Sequence, residues 1–255
     1  MCLKMSALNN YRNVITPFTE GQALYNCKIK RFPGFSKMIV FSHSVFNPLH
    51  HELKKKIKDK KDYSYDRGFR MDNVNRARDK AYDIAYSNNF DYFITFTLDA
   101  SKIDRFDKPE IMKRLKVWLS DRVQRNSFKY IIFPEYHKNG AIHFHGLCSG
   151  DLKLVDSGKK TRAGQIIYNS ESWKYGFSSV VKLEGPYTRV VNYIIKYVSK
   201  ENCKVFGKWY LSGGKGLKRE VPTEYINIDF SLVASKTYHI PKAGLSVKYL
   251  TIFDK

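Results

Sequence analysis

Four polar side chains gather in the segment Glu135-Tyr136-His137-Lys138-Asn139-Gly140-Ala141-Ile142-His143-Phe144-His145. Hairpin loops of three residues commonly hold a glycine in the left-handed region at their third position, and Gly140 fits that slot. A loop of Lys138, Asn139 and Gly140 pairs His137 with Ala141 and Glu135 with His143. Directly opposed residues share a face, as do residues two apart on one strand. Glu135, His137, His143 and His145 then converge on one side, while Ile142 and Phe144 turn to apolar packing on the other. Two imidazoles with a carboxylate form a hard-to-borderline site for a divalent cation, open enough for water and a phosphate oxygen. A two-residue loop would break this register. Pro134 inside the first strand marks an edge, a bulge or a bend beside the site.

A second constellation is Val190-Val191-Asn192-Tyr193-Ile194-Ile195-Lys196-Tyr197-Val198-Ser199-Lys200. At about 100° per residue, Val190, Val191, Ile194, Ile195 and Val198 share one helix face. Tyr193, Lys196, Tyr197 and Lys200 share the opposite one. Tyr193 and Tyr197 are four apart and so lie one turn from each other. A free phenol titrates at about 10. A neighbouring lysine and a cation-bound phosphate favour the phenolate, the form that attacks phosphorus.

The elements that must hold these residues can be read around them. Residues 71–88 have helical spacing in Val74, Ala77, Ala81, Ile84 and Ala85. From Asp91 to Leu98 the pattern alternates, with Tyr92, Ile94, Phe96 and Leu98 facing one way and Phe93, Thr95 and Thr97 the other, which predicts a strand. A helix follows from Pro109, with Ile111, Met112, Leu115, Trp118 and Leu119 as its apolar stripe. Asp107 is its expected cap and Glu110 the reciprocal partner. Tyr130 to Tyr136, Ile142 to Cys148 and Gly176 to Leu183 read as strands, and Thr188 to Lys200 as a helix. After residue 205 come short strand-like pieces and a turn with Gly213, Gly214 and Gly216. Strands with a few intervening helices predict an α+β domain, a mainly antiparallel sheet with helices packed on it.

The chain has 255 residues, 45 Lys and Arg against 24 Asp and Glu, and a net charge of +21. Such an excess is relieved by a polyanion, and nucleic acid is the expected partner. The run Lys54, Lys55, Lys56, Lys58, Lys60 and Lys61 is a candidate arm along a DNA backbone, the alternative being a solvated helix face or loop; Lys200 is a further candidate contact. Four cysteines, Cys2, Cys27, Cys148 and Cys203, show no C-x-x-C pair and no disulfide framework. No apolar run approaches a membrane span, and the N-terminus carries no apolar signal region. The expected location is the cytoplasm, that of a host cell if a phage or plasmid encodes the chain.

Together these residues resemble the HUH endonuclease superfamily, named for a His-hydrophobic-His strand. In its replication initiators that strand precedes a Y-x-x-K helix, and here His143-Phe144-His145 precedes Tyr193-Ile194-Ile195-Lys196. Phe93-Ile94-Thr95-Phe96-Thr97-Leu98 looks like the family's first motif. The doubled pattern Tyr193-x-x-Lys196-Tyr197-x-x-Lys200 is similar to the two-tyrosine helix of isometric single-stranded phage initiators. The resemblance covers roughly residues 90–220.

It implies a sheet of about five strands with the histidine strand central. It also implies a nuclease domain over 71–220, with a basic N-terminal extension over 1–70 and a C-terminal extension over 221–255 packed on the domain. Mg or Mn would be held by His143, His145 and Glu135, with His137 as the alternate third ligand. Tyr193 or Tyr197, with Lys196, would attack single-stranded origin DNA, an origin hairpin included. The products would be a 5′-phosphotyrosine and a 3′-OH primer for rolling-circle replication. No G-x-x-x-x-G-K-[ST] is present, so a host helicase and polymerase are expected partners. Two readings compete: a transposase or mobilisation relaxase with the same chemistry, and a non-catalytic nucleic-acid-binding protein whose histidines hold a structural metal, a site closed by a further protein ligand.

Overall fold

The alternation from Tyr92 to Leu98 makes a strand because every second side chain there can be buried. Ile94, Phe96 and Leu98 are at most 3% exposed, and Phe93, Thr95 and Thr97 occupy the other face. The computed structural model describes residues 2–4, 24–46, 71–184, 187–198 and 204–254. In chain order its elements are β1 (Cys2–Lys4), β2 (Leu24–Phe32), β3 (Phe35–Phe46), α1 (Met71–Asn88), β4 (Tyr92–Leu98), α2 (Lys108–Asn126), β5 (Lys129–Tyr136) and β6 (Ile142–Ser149). They continue with β7 (Leu154–Lys160), β8 (Ile166–Ser170), β9 (Gly176–Lys182), α3 (Tyr187–Ile195), β10 (Leu211–Gly213), β11 (Thr223–Ile226), β12 (Thr237–Ile240) and β13 (Leu245–Phe253). Short 3-10 turns lie at Lys196–Val198, Phe230–Leu232 and Pro241–Ala243. The protein is α+β, with two mainly antiparallel sheets and helices.

The chain divides into two compact units, Arg67–Glu220 and a second made of Met1–Asp66 with Val221–Lys255. The first is built on a seven-stranded sheet in the order β10-β5-β6-β4-β9-β8-β7. It has more strands than the five expected. The histidine strand β6 lies inside it, hydrogen-bonded to β5 on one side and β4 on the other.

One face of this sheet is covered by α2. Asp107 caps that helix, its carboxylate accepting from the Glu110 N–H at 3.1 Å, and Pro109 occupies the first turn. The stripe Ile111, Leu115, Trp118 and Leu119 packs on Ile94, Phe96, Ile132, Ile142 and Phe144. Trp173 completes this core, stacked on Phe96 at 4.4 Å. The Trp118 indole N–H finds the Ser172 carbonyl at 2.9 Å, so a large ring is buried with its one polar group satisfied.

On the opposite side α1 meets β5 and α3, and the turn Lys196–Val198 also reaches β5. Tyr187, at the start of α3, donates to the Ala85 carbonyl at 2.8 Å and accepts from the Phe90 N–H at 3.2 Å. Asn88 closes α1 by donating to the carbonyls of Ile84 and Lys218, at 2.8 and 2.7 Å, while accepting from the Lys218 N–H.

The second unit has the strand order β1-β13-β3-β2-β11, with β12 also on β13. Cys27, Ile29, Met38, Val40, Leu250 and Ile252 form its core with Ile228 and Val233. Lys248 is buried there, and its ammonium donates to the carbonyls of Phe230 and Val233 at 2.9 and 2.8 Å. Residues after 220, expected as an extension packed on the nuclease domain, instead pair as β11 and β13 with β2 and β3. Pairings this distant along the chain leave no trace in local periodicity.

Candidate active site

The β5–β6 hairpin has the three-residue loop. Glu135 opposes His143, the His137 N–H donates to the Ala141 carbonyl at 2.7 Å, and Gly140 takes φ +83°. The left-handed angle is one that a side chain would resist. The Asn139 side chain steadies the turn by accepting from the Ala141 N–H at 3.1 Å. Phe144 and Ile142 are buried on the α2 side.

On the other side the four polar groups form two pairs. Glu135, 8% exposed, meets His145, with Oε2 and Nε2 3.1 Å apart. The His137 ring stacks on His143, centroids 4.8 Å apart. Among the described residues no three His, Cys, Asp or Glu groups are set together to hold one ion.

The neighbouring strand holds both histidines from behind. Thr95 opposes His145 and Thr97 opposes His143. Their hydroxyls lie 3.1 and 3.4 Å from the respective Nδ1 atoms. Each ring is thereby oriented with Nε2 toward the open side, as partners of metal-binding histidines usually do. Burial and the adjacent His137 hold the His143 imidazole below its ordinary range, against the pull of Glu135, and Arg105 acts in the same direction. A neutral His143 is the form that can ligate. The donor set therefore suits a hard divalent cation in kind, a buried carboxylate beside two oriented imidazoles.

The tyrosine helix lies over these groups. Val191, Ile194, Ile195 and Val198 are buried, as their spacing predicts. The regular helix ends at Ile195, and Lys196–Val198 tighten into a 3-10 turn, a common end to an α-helix. Tyr197 stacks flat on His145, centroids 4.2 Å apart and planes 11° apart. Its hydroxyl lies 2.8 Å from that of Tyr193, and the two rings are edge-to-face. Tyr193 is 51% exposed and leans on Phe93, centroids 5.9 Å apart.

Burial, the bond to Tyr193 and the charge of Glu135 push the Tyr197 hydroxyl well above the ordinary phenol range. These surroundings act against the phenolate expected from the sequence. Lys196 is exposed on the turn between the two tyrosines. Lys200 and the run Lys54, Lys55, Lys56, Lys58, Lys60 and Lys61 lie outside the described residues.

Sequence reading missed Thr95, Thr97, Phe93 and Arg105 as parts of the site. For the first three the signal was present, since the alternation of β4 already set them on the face away from the core. What was lacking was the β4–β6 register, which brings them to the histidines.

Residues 91–202, from the start of β4 to beyond the tyrosine helix, match a family model of replication-associated proteins of the ORF2 type. The match supports a role in DNA replication, with DNA at an origin as partner. No curated protein and no solved structure matches the chain. No described helix is long and apolar enough to cross a membrane.

Proposed function

We propose that this chain is a replication initiator that nicks single-stranded origin DNA by tyrosine attack and so primes rolling-circle replication. One observation carries the reading: the Tyr193–Tyr197 hydroxyl pair sits against His145 and Glu135 on an oriented histidine strand. The match of this same stretch to replication-associated proteins supports it.

His143, His145 and Glu135, with His137 as the alternate, would hold Mg or Mn. Bound there, the cation would polarise the scissile phosphodiester and stabilise charge on its oxygens. The chain's own residues do the rest. A tyrosine Oη forms a bond to phosphorus as the bond from phosphorus to the 3′ oxygen breaks. The phenol gives up one proton and the leaving 3′ oxygen gains one, so a 5′-phosphotyrosine and a free 3′-OH result. The hydroxyl–hydroxyl bond lets each tyrosine hold the other's proton, and Lys196 adds positive charge to the turn that carries them.

The test is incubation of end-labelled single-stranded origin DNA with the protein and Mg or Mn. Cleavage should appear with a covalent protein–DNA adduct, and chelation should abolish both. A transposase or mobilisation relaxase would give the same adduct and differ in the DNA it accepts. Absence of any adduct under metal-replete conditions sinks the nucleophile assignment.

A further inference from the structure

Beside Tyr193, within the same unit, lies a cavity of about 410 Å³. Its floor is the site face of the sheet, where Phe93 opposes Val181 and Thr95 opposes Ser179. One wall is α3, through Val190 and Tyr193. The other is the β7–β8 hairpin, through Ile167 and Gln165. The lining is mainly apolar, with cationic Lys182 and Arg189 and acidic Glu184 also contributing.

Gln165 is fixed in place. Its side-chain amide donates to the Lys182 carbonyl at 3.3 Å, and its backbone N–H donates to the Thr161 hydroxyl at 3.1 Å. Phe93 touches the rings of both Tyr193 and His145, centroids 5.9 and 6.3 Å away. The cavity therefore adjoins the proposed chemistry without containing it.

An apolar slot with an aromatic ring, a primary amide and nearby cations matches the needs of an unstacked nucleobase. Such a base wants a ring to stack on, hydrogen-bonding groups at its edge and positive charge for its flanking phosphates. The amide can both donate to and accept from a base edge. We propose that this cavity captures one nucleobase of the single strand, next to the nucleotide whose phosphate lies at Tyr193. The base stacks against Phe93 and meets Gln165 at its edge, while Arg189 and Lys182 attract the adjoining phosphates. The placement of that phosphate rests on the nicking reaction proposed above; capture of the base needs no chemistry.

The experiment compares the affinity of the full chain for a mixed-sequence single strand and for an abasic strand of the same length. Both are measured in chelator at one salt concentration, so that cutting plays no part. Wild type should bind the base-bearing strand about tenfold more tightly, the order expected when a base is stacked on an aromatic side chain. Ser179→Phe fills the slot and should bring the ratio close to one, with abasic binding unchanged. Gln165→Ala, on the hairpin, should lower the ratio about threefold.

A wild-type ratio near one overturns the proposal, as does a folded Ser179→Phe that keeps the wild-type ratio. If Ser179→Phe does not fold, an unchanged ratio in Gln165→Ala overturns it. A base-dependent ratio lost in the variants, from a protein that forms no adduct, would leave the base site standing and remove the nicking reaction instead.

Discussion

At the scale of single residues, what matters is which nitrogen of each histidine is left for chemistry. Thr95 and Thr97 sit on the Nδ1 side of His145 and His143, so the Nε2 side carries the site. Thr95→Val keeps the shape and removes the hydroxyl. It should weaken Mn binding and nicking by about 10–100-fold, the usual cost of losing such a partner, with little change in thermal stability. Mn titration against wild type checks this, and equal affinities would reduce Thr95 to a packing residue. The tyrosines give a second prediction. Their hydroxyls are already in contact, the closeness a relay between two nucleophiles needs. Termination must cut a regenerated origin while the first link still exists. A partner tyrosine within reach can attack the new junction, and the freed 3′-OH can resolve the first link. Tyr193→Phe and Tyr197→Phe should each retain some adduct, both should lose repeated strand transfer, and the double variant should form none. Complete rounds of transfer by Tyr197→Phe at the normal rate would show that one tyrosine suffices.

At the scale of elements, β6 is useful only if it lies flat between β4 and β5. Gly146, directly after His145, makes this possible. A Cβ there would come within 2.8 Å of the Ile131 carbonyl and 2.9 Å of Ile132 Cγ1. Gly146→Ala should therefore cost about 1–3 kcal/mol, as overpacking in a close-packed core does, and should displace His145 from Glu135. Denaturant unfolding and Mn affinity together check it, and wild-type values in both would disprove the constraint. The helix end carries a pH prediction. Burial drives the Tyr187 hydroxyl well above its ordinary range. Below pH about 10 the phenol is neutral in folded and unfolded chains alike, so the shift has no effect there. Above that pH the unfolded chain ionises first and binds fewer protons, so stability falls as pH rises. Tyr187→Phe should lose about 1 kcal/mol at neutral pH with its hydrogen bonds, yet decline less steeply in alkali; parallel curves would mean that Tyr187 is not the group responsible. These local elements were legible because their signals are local: the cap Asp107, the stripe on α2, the alternation of β4 and the glycine of the histidine turn. β2 and β3 were not read, although Cys27, Ile29, Met38 and Val40 alternate in burial, because their partners come from the far end of the chain. The β7–β8 hairpin is largely polar and has an irregular register between Asp156 and Lys159, so neither period stands out. The site itself was readable in the residue types of its histidines and tyrosines. Its threonines emerge only with the register between β4 and β6.

At the scale of the whole molecule, charge dominates. A net +21 exceeds anything the few ion pairs of the site could use, and its natural complement is a phosphate backbone. Each phosphate of a single strand that the protein neutralises should contribute about −0.7 to the slope of log affinity against log salt. The run Lys54, Lys55, Lys56, Lys58, Lys60 and Lys61 supplies the densest positive charge in the sequence. If all six reach phosphates, replacing them with Gln should make the slope shallower by about 4, weaken binding to every sequence alike, and leave the base-dependent ratio at the Tyr193 cavity unchanged. That last arm separates the two kinds of contact, because backbone charges position a strand while base contacts select it. The measurement is fluorescence anisotropy of a labelled single strand across a salt series in chelator. A slope equal to that of wild type would mean that the run is a solvated surface, and that the charges meeting DNA are those of the sheet unit, Arg105, Lys182, Arg189 and Lys196 among them.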